Sequence, residues 1–89
     1  MDLSKVCWYN DTATRNFIEK HREELSDISS MPITLLAEAI TYCTSNDNPF
    51  VKELLSRSGH TEQFNAADGD LARYKIICKA AKAFNIVLV

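Results

Sequence analysis

The sequence predicts an all-α fold, and three features carry that prediction. Apolar residues recur at three- and four-residue spacing through most of the chain, and polar clusters rich in Asn, Asp and Ser separate those stretches. Only two glycines and two prolines are present, too few for the many tight turns of an all-β sandwich or barrel. The 89 residues have room for a single helical domain, residues 1–89, and a chain of that size buries only roughly 60% of its unfolded surface. A hydrophobic content of 46% with 25% charged residues is that of a globular protein, not of a linker.

Residues 3–9 make a short apolar element ending at Asn10-Asp11, a turn signal in which Asp11 or Thr12 can cap the following helix. Over residues 12–25, Ala13, Phe17, Ile18, His21 and Leu25 share one side. Arg15 with Glu19, and Lys20 with Glu24, pair at i,i+4 on the other, as in one amphipathic helix. Residues 26–31 read as a polar connector, and Pro32 suits the first turn of a second helix preceded by Ser30. Across residues 33–43 only Thr34, Glu38 and Thr41 are polar. Their spacing of four then three confines them to one stripe on a cylinder that must be covered on its other sides.

Residues 44–49 are the clearest loop, with Asn48 as N-cap and Pro49 at the first helical position. Phe50, Val51, Leu54 and Leu55 form the apolar face of a short helix that Ser58-Gly59 closes through a left-handed C-cap. Residues 60–69 are polar and turn-rich, and Asp70 can cap a last helix over residues 71–84 with Tyr74, Ile77, Cys78, Ala81 and Phe84 turned inward. Asn85 suits a helix end. The following Ile86-Val87-Leu88-Val89 is too apolar to stand in water, so it begins a packed element or pairs as an edge strand.

Three widely separated cysteines, Cys7, Cys43 and Cys78, do not suit a disulfide framework, and an intracellular, reducing compartment is expected. No apolar run approaches the eighteen or so residues of a membrane span. The net charge of −2 conceals an asymmetry: residues 1–48 hold four Lys/Arg against eight Asp/Glu, residues 49–89 six against four. That swing can steer a partner but falls well short of a nucleic-acid-binding footprint. No metal-ligand spacing, phosphate-cradling glycine loop or calcium loop is present, and no nucleophile, base and oxyanion donor lie near one another, so neither cofactor nor enzymatic activity is expected. Cys43 and Cys78 read as small buried hydrophobes, His21 as a helix-terminal cation and His60 as solvated. Lys75, Lys79 and Lys82 form a basic stripe on the last helix. It is either a solvated face or, with Arg73, the contact of a small nucleic-acid-binding bundle.

The order apolar helix, Asn/Asp-containing turn, second helix, polar connector occurs three times and resembles the ankyrin repeat. Thr34-Leu35-Leu36-Ala37-Glu38-Ala39 keeps the Thr, the second Leu and the closing Ala of the family's Thr-Pro-Leu-His-x-Ala signature, with Leu35 where proline belongs. Val51 to Gly59 is similar to the family's second helix. Asp68-Gly69 resembles its hairpin tip, and Ala80-Ala81 its double alanine. The resemblance implies about two and a half stacked helical hairpins, the first part of a longer array, with self-association if the array is cut short. A compact four- or five-helix bundle is the alternative. It also implies a protein partner held on the inner-helix face, at Trp8, Thr41, Tyr42, Lys79 and Lys82, and at the hairpin tip, at Asp68 and Asp70. Trp8 and Tyr42 would then be neighbouring aromatic anchors, against the competing expectation that both rings simply fill the core.

Overall fold

The computed structural model describes residues 3, 6–9 and 11–88. Among them are six α-helices: α1 (Thr12–Lys20), α2 (Arg22–Ser26), α3 (Ile33–Thr41), α4 (Pro49–Ser58), α5 (Thr61–Ala66) and α6 (Asp70–Lys82), with a 3-10 turn, Ile28–Ser30, between α2 and α3. Asn10, half of the expected first turn, and Val89 lie outside the described residues.

Helix α4 forms where local chemistry demands it. The Asn48 carboxamide oxygen accepts from the backbone N–H groups of Phe50 and Val51, both at 3.0 Å, and Pro49 occupies the first turn, where a missing N–H costs nothing. At the other end Gly59, at φ 75°, lets its own N–H reach Ser56 and the His60 N–H reach Leu55, so the last carbonyls are satisfied. Between the caps, Phe50, Val51, Leu54 and Leu55 are all fully buried. Helices α3, α5 and α6 and the 3-10 turn all pack against α4. The radius of gyration, 12.4 Å, is close to the ~12 Å of a compact chain of this length.

Arg57 ties α4 to the 3-10 turn. Its guanidinium donates to the carbonyls of Met31 at 2.8 Å, Ile28 at 3.0 Å and Ser29 at 3.2 Å, and pairs with Glu53 at 3.5 Å. One planar cation thereby satisfies backbone acceptors that a polar connector of this kind leaves over.

Several boundaries differ from the expectations. The helix expected over residues 12–25 breaks at His21, whose φ of −117° and ψ of 24° leave the helical region. The break lets α2 turn and seat Leu25 fully in the core. On α1, Thr14 is buried and Ala13 exposed, the reverse of the apolar pattern, while Asp11 caps the helix by accepting from the Thr14 N–H at 2.7 Å. That bond holds the Asp11 carboxyl below its ordinary range.

Pro32 stands at the N-cap of α3, not inside its first turn, and its carbonyl accepts from the Leu36 N–H. Residues 61–66 are helical where a loop was expected, because Phe64 is buried among the core residues and takes the Arg73 guanidinium over its ring at 5.9 Å. Helix α6 starts at Asp70, with Gly69 rather than Asp70 at the cap position. It buries Ile77, Ala80 and Ala81, whereas Tyr74 is 40% exposed and Cys78 only partly covered. Among the described residues after Asn85, residues 86–88, none forms a strand.

Replacing Arg57 by Leu should cost roughly 1.5–3 kcal/mol in urea unfolding, the range for hydrogen bonds to a charged group. Asn48→Ala should cost about 1 kcal/mol by the same measurement, as loss of a helix cap does.

Candidate functional site

The residues proposed to meet a partner are positioned by a short antiparallel contact between residues 7–9 and 42–44. The Tyr9 N–H donates to the Tyr42 carbonyl at 2.9 Å and the Thr44 N–H to that of Cys7 at 2.7 Å, and Trp8 lies opposite Cys43. Alternation along this extended segment turns Trp8 inward and leaves Cys7 and Tyr9 exposed.

Trp8 and Tyr42 are therefore close along the backbone, but their rings engage different interior partners. The Trp8 ring packs on Phe50, centroid to centroid 5.5 Å, and its indole N–H donates to the Leu3 carbonyl at 3.2 Å. Tyr42 stacks on Phe17 at 4.7 Å. Both remain half-buried. Such contacts are those of core-filling aromatics with one edge in water.

The rings presented to solvent are Tyr9, 49% exposed, and Tyr74, 40% exposed. Both line a cleft of about 230 Å³ together with the apolar Ile40 and Ile77 and the polar Thr41, Ser45 and Asn46. Two hydrogen bonds hold its polar residues. The Asn46 amide donates to the Asp70 carbonyl at 3.1 Å, fastening the α3–α4 loop to the start of α6, and the Thr41 hydroxyl donates back to Glu38 at 2.6 Å. The Tyr74 phenol is held above its ordinary range, first by a hydrogen bond with Cys78 and then by the nearby Cys78 thiol, by burial and by Tyr9. Tyr9, Tyr74 and Cys78 thus form one cluster along the exposed flank of α6.

The remaining residues from the sequence reading fall at opposite ends of α6. Asp68 and Asp70 are exposed near its start, Asp70 pairing with Arg73 at 3.9 Å, while Lys79 and Lys82 are exposed near its end. A helix from Asp70 to Lys82 spans roughly 18 Å, so one small ligand cannot touch both groups. Thr41 and Lys82 border clefts on either side of residues 86–88, and the structure relates these two through that segment.

Tyr9 escaped the sequence reading. The available signal was its place one residue beyond Trp8 in an extended run, where side chains alternate. Tyr74 had no such signal, because Leu71, Tyr74, Ile76, Ile77 and Cys78 spread apolar surface around most of that helix. Among the described residues no three His, Cys, Asp or Glu side chains converge as metal ligands, and no helix is long and apolar enough to cross a membrane.

The thiols differ sharply. Cys7 is exposed, whereas Cys43 is 8% exposed, bonds to the Ala39 carbonyl at 3.3 Å and is pushed up to about 12, chiefly by burial and further by Cys7 nearby. Since the thiolate is the reactive form, iodoacetamide at about pH 8 should modify Cys7 in the folded protein and Cys43 only after denaturation, as read by peptide mass mapping. Equal rates would mean that residues 7–9 do not stay on residues 42–44.

No protein-family model, curated protein or solved structure matches this chain.

Proposed function

We propose that the chain is a protein-interaction module, a compact helical bundle that holds a partner on the flank formed by Tyr9, Tyr74, Thr41 and the loop at residues 44–46. The exposure of two tyrosine rings on one cleft carries the reading. Tyrosine offers a large apolar surface and a polar tip at little cost in rotamer freedom, and such side chains dominate interface energetics. The polar residues Thr41, Ser45 and Asn46 that share the cleft suit the backbone of a bound segment. Lys79 and Lys82 supply positive charge toward one end of α6 and Asp68 and Asp70 negative charge toward the other, a polarity that can orient a partner. Trp8 and Tyr42 support the surface from beneath through Phe50 and Phe17.

The central position of α4 favours the bundle over the ankyrin-like stack. Helix α6 lies mainly against α4 and α5, whereas a repeat array seats successive inner helices directly side by side. Three free cysteines suit a reducing, intracellular setting. We assign the module no catalytic role and no cofactor.

One observation favours a second reading, a nucleic-acid-binding bundle: Tyr74 stands exposed on the same helix as the exposed Lys75, Lys79 and Lys82, the pairing of stacking surface and cation that single strands use. One experiment separates the two. The wild type, a Tyr9→Ser/Tyr74→Ser variant and a Lys75→Glu/Lys79→Glu/Lys82→Glu variant are used as baits in cell extract, with nuclease treatment and a salt series. The interaction module predicts a protein partner lost with the tyrosines and insensitive to nuclease. Binding lost with the lysines, steeply weakened by salt and abolished by nuclease would establish the second reading instead.

A further inference from the structure

The segment after α6 does something the sequence only hinted at. Helix α6 closes with Asn85 in the left-handed conformation, φ 60°, its N–H bonded to the Lys82 carbonyl at 2.9 Å and the Ile86 N–H to that of Ala81 at 3.1 Å. This closure reverses the chain. Residues 86–88 then run back between α6 and α3. Leu88 borders the tyrosine cleft, a second cleft of about 320 Å³ against Cys78 and Lys82, and a third of about 190 Å³ against Thr34, Ala37 and Glu38. Ile86 and Leu88 are half-buried while Val87 is 85% exposed, the in–out–in alternation of an extended peptide laid in a groove.

The groove is wider than its occupant, since open space remains on both sides of it. Among the described residues, the occupant is anchored by two half-buried aliphatic side chains and one turn whose left-handed residue is not glycine. A short segment with few buried contacts belongs to the least stable part of a fold.

We infer that the α3–α6 groove is a docking site for an extended partner peptide bearing aliphatic side chains two residues apart, and that residues 86–88 are the built-in competitor such a peptide displaces. The chemistry of the partner follows from what already sits there. Aliphatic groups at alternate positions match Ile86 and Leu88, and the exposed position between them is free to carry a polar residue. Lys82 on one rim and Glu38 on the other set a charge direction across the groove. The inference rests on the interaction-module reading and adds the form of the partner and its control. Affinity is reduced by the fraction of molecules whose groove is closed.

The test uses the full chain and a fluorescent peptide of sequence Asn-Ile-Val-Leu-Val, titrated by anisotropy. Asn85→Pro forbids φ 60°, so residues 86–88 cannot fold back; Ile86→Ser/Leu88→Ser weakens the occupant and leaves the hinge intact. Both variants should bind the probe about tenfold more tightly than the wild type, and adding Thr34→Arg to either should abolish the gain. Equal binding by wild type and both variants, or no binding by variants whose circular dichroism shows native helix, overturns the inference. A concentration-dependent dimer of the Asn85→Pro variant that excludes the probe overturns it too, in favour of a second copy as occupant. Should the tyrosine variants lose their protein partner while the hinge variants gain no probe binding, the tyrosine surface of the interaction module stands and the inference about the α3–α6 groove falls.

Discussion

One helix end determines much of this molecule. The Asn48 carboxamide and Pro49 start α4 at a defined residue, and that start aims Phe50, Val51, Leu54 and Leu55 into positions where water does not reach any of them. A chain of 89 residues has few such side chains to spend, and four of them on ten residues make α4 the element around which the others gather. Helix α3 returns against it, α5 and α6 cover it from the other direction, and Arg57 holds the 3-10 turn to its far end. Moving the start of α4 by one residue would rotate this apolar face by about 100° and detach every neighbour at once.

The surface follows from that centre. Residues 7–9 are held by two backbone hydrogen bonds to residues 42–44, just beyond α3, and the strand-like alternation that sends Trp8 onto Phe50 sends Tyr9 outward. Helix α6, pressed on α4 through Ile77, Ala80 and Ala81, has Tyr74 and Cys78 on its uncovered flank. Ala80 and Ala81 are buried on the packed side of α6, and its Tyr74 lines the same cleft as Tyr9. Residues 86–88 lie beside α3 and α6, lining clefts with residues of both. The proposed partner surface and its proposed control are thus two consequences of one packing arrangement.

Element ends were legible where they are chemical and local. Asn48-Pro49, Ser58-Gly59 and Asn85 all terminate helices as their residue types suggest, since capping and left-handed closure involve only neighbouring backbone groups. Features that depend on distant residues were less legible. Residues 60–69 looked like loop because one aromatic among polar neighbours gives no periodicity, yet burying Phe64 repays the ordering of a six-residue helix. His21 has no helix-breaking character, and the break there serves Leu25. For the site, core filling by Trp8 and Tyr42 was one of two expectations for these rings, but the partners that receive them, Phe50 and Phe17, lie far away in sequence and were not legible.

By itself, the sequence determined that this protein is helical, where its best-capped helices begin and end, and which face of α4 is buried, since all three depend on spacing and capping within a few residues. Tertiary structure decided which side of α6 turns inward, that residues 7–9 lie on residues 42–44, and that residues 86–88 run between α3 and α6. Those outcomes compare several apolar faces of similar strength, and only the space left by the other elements selects among them.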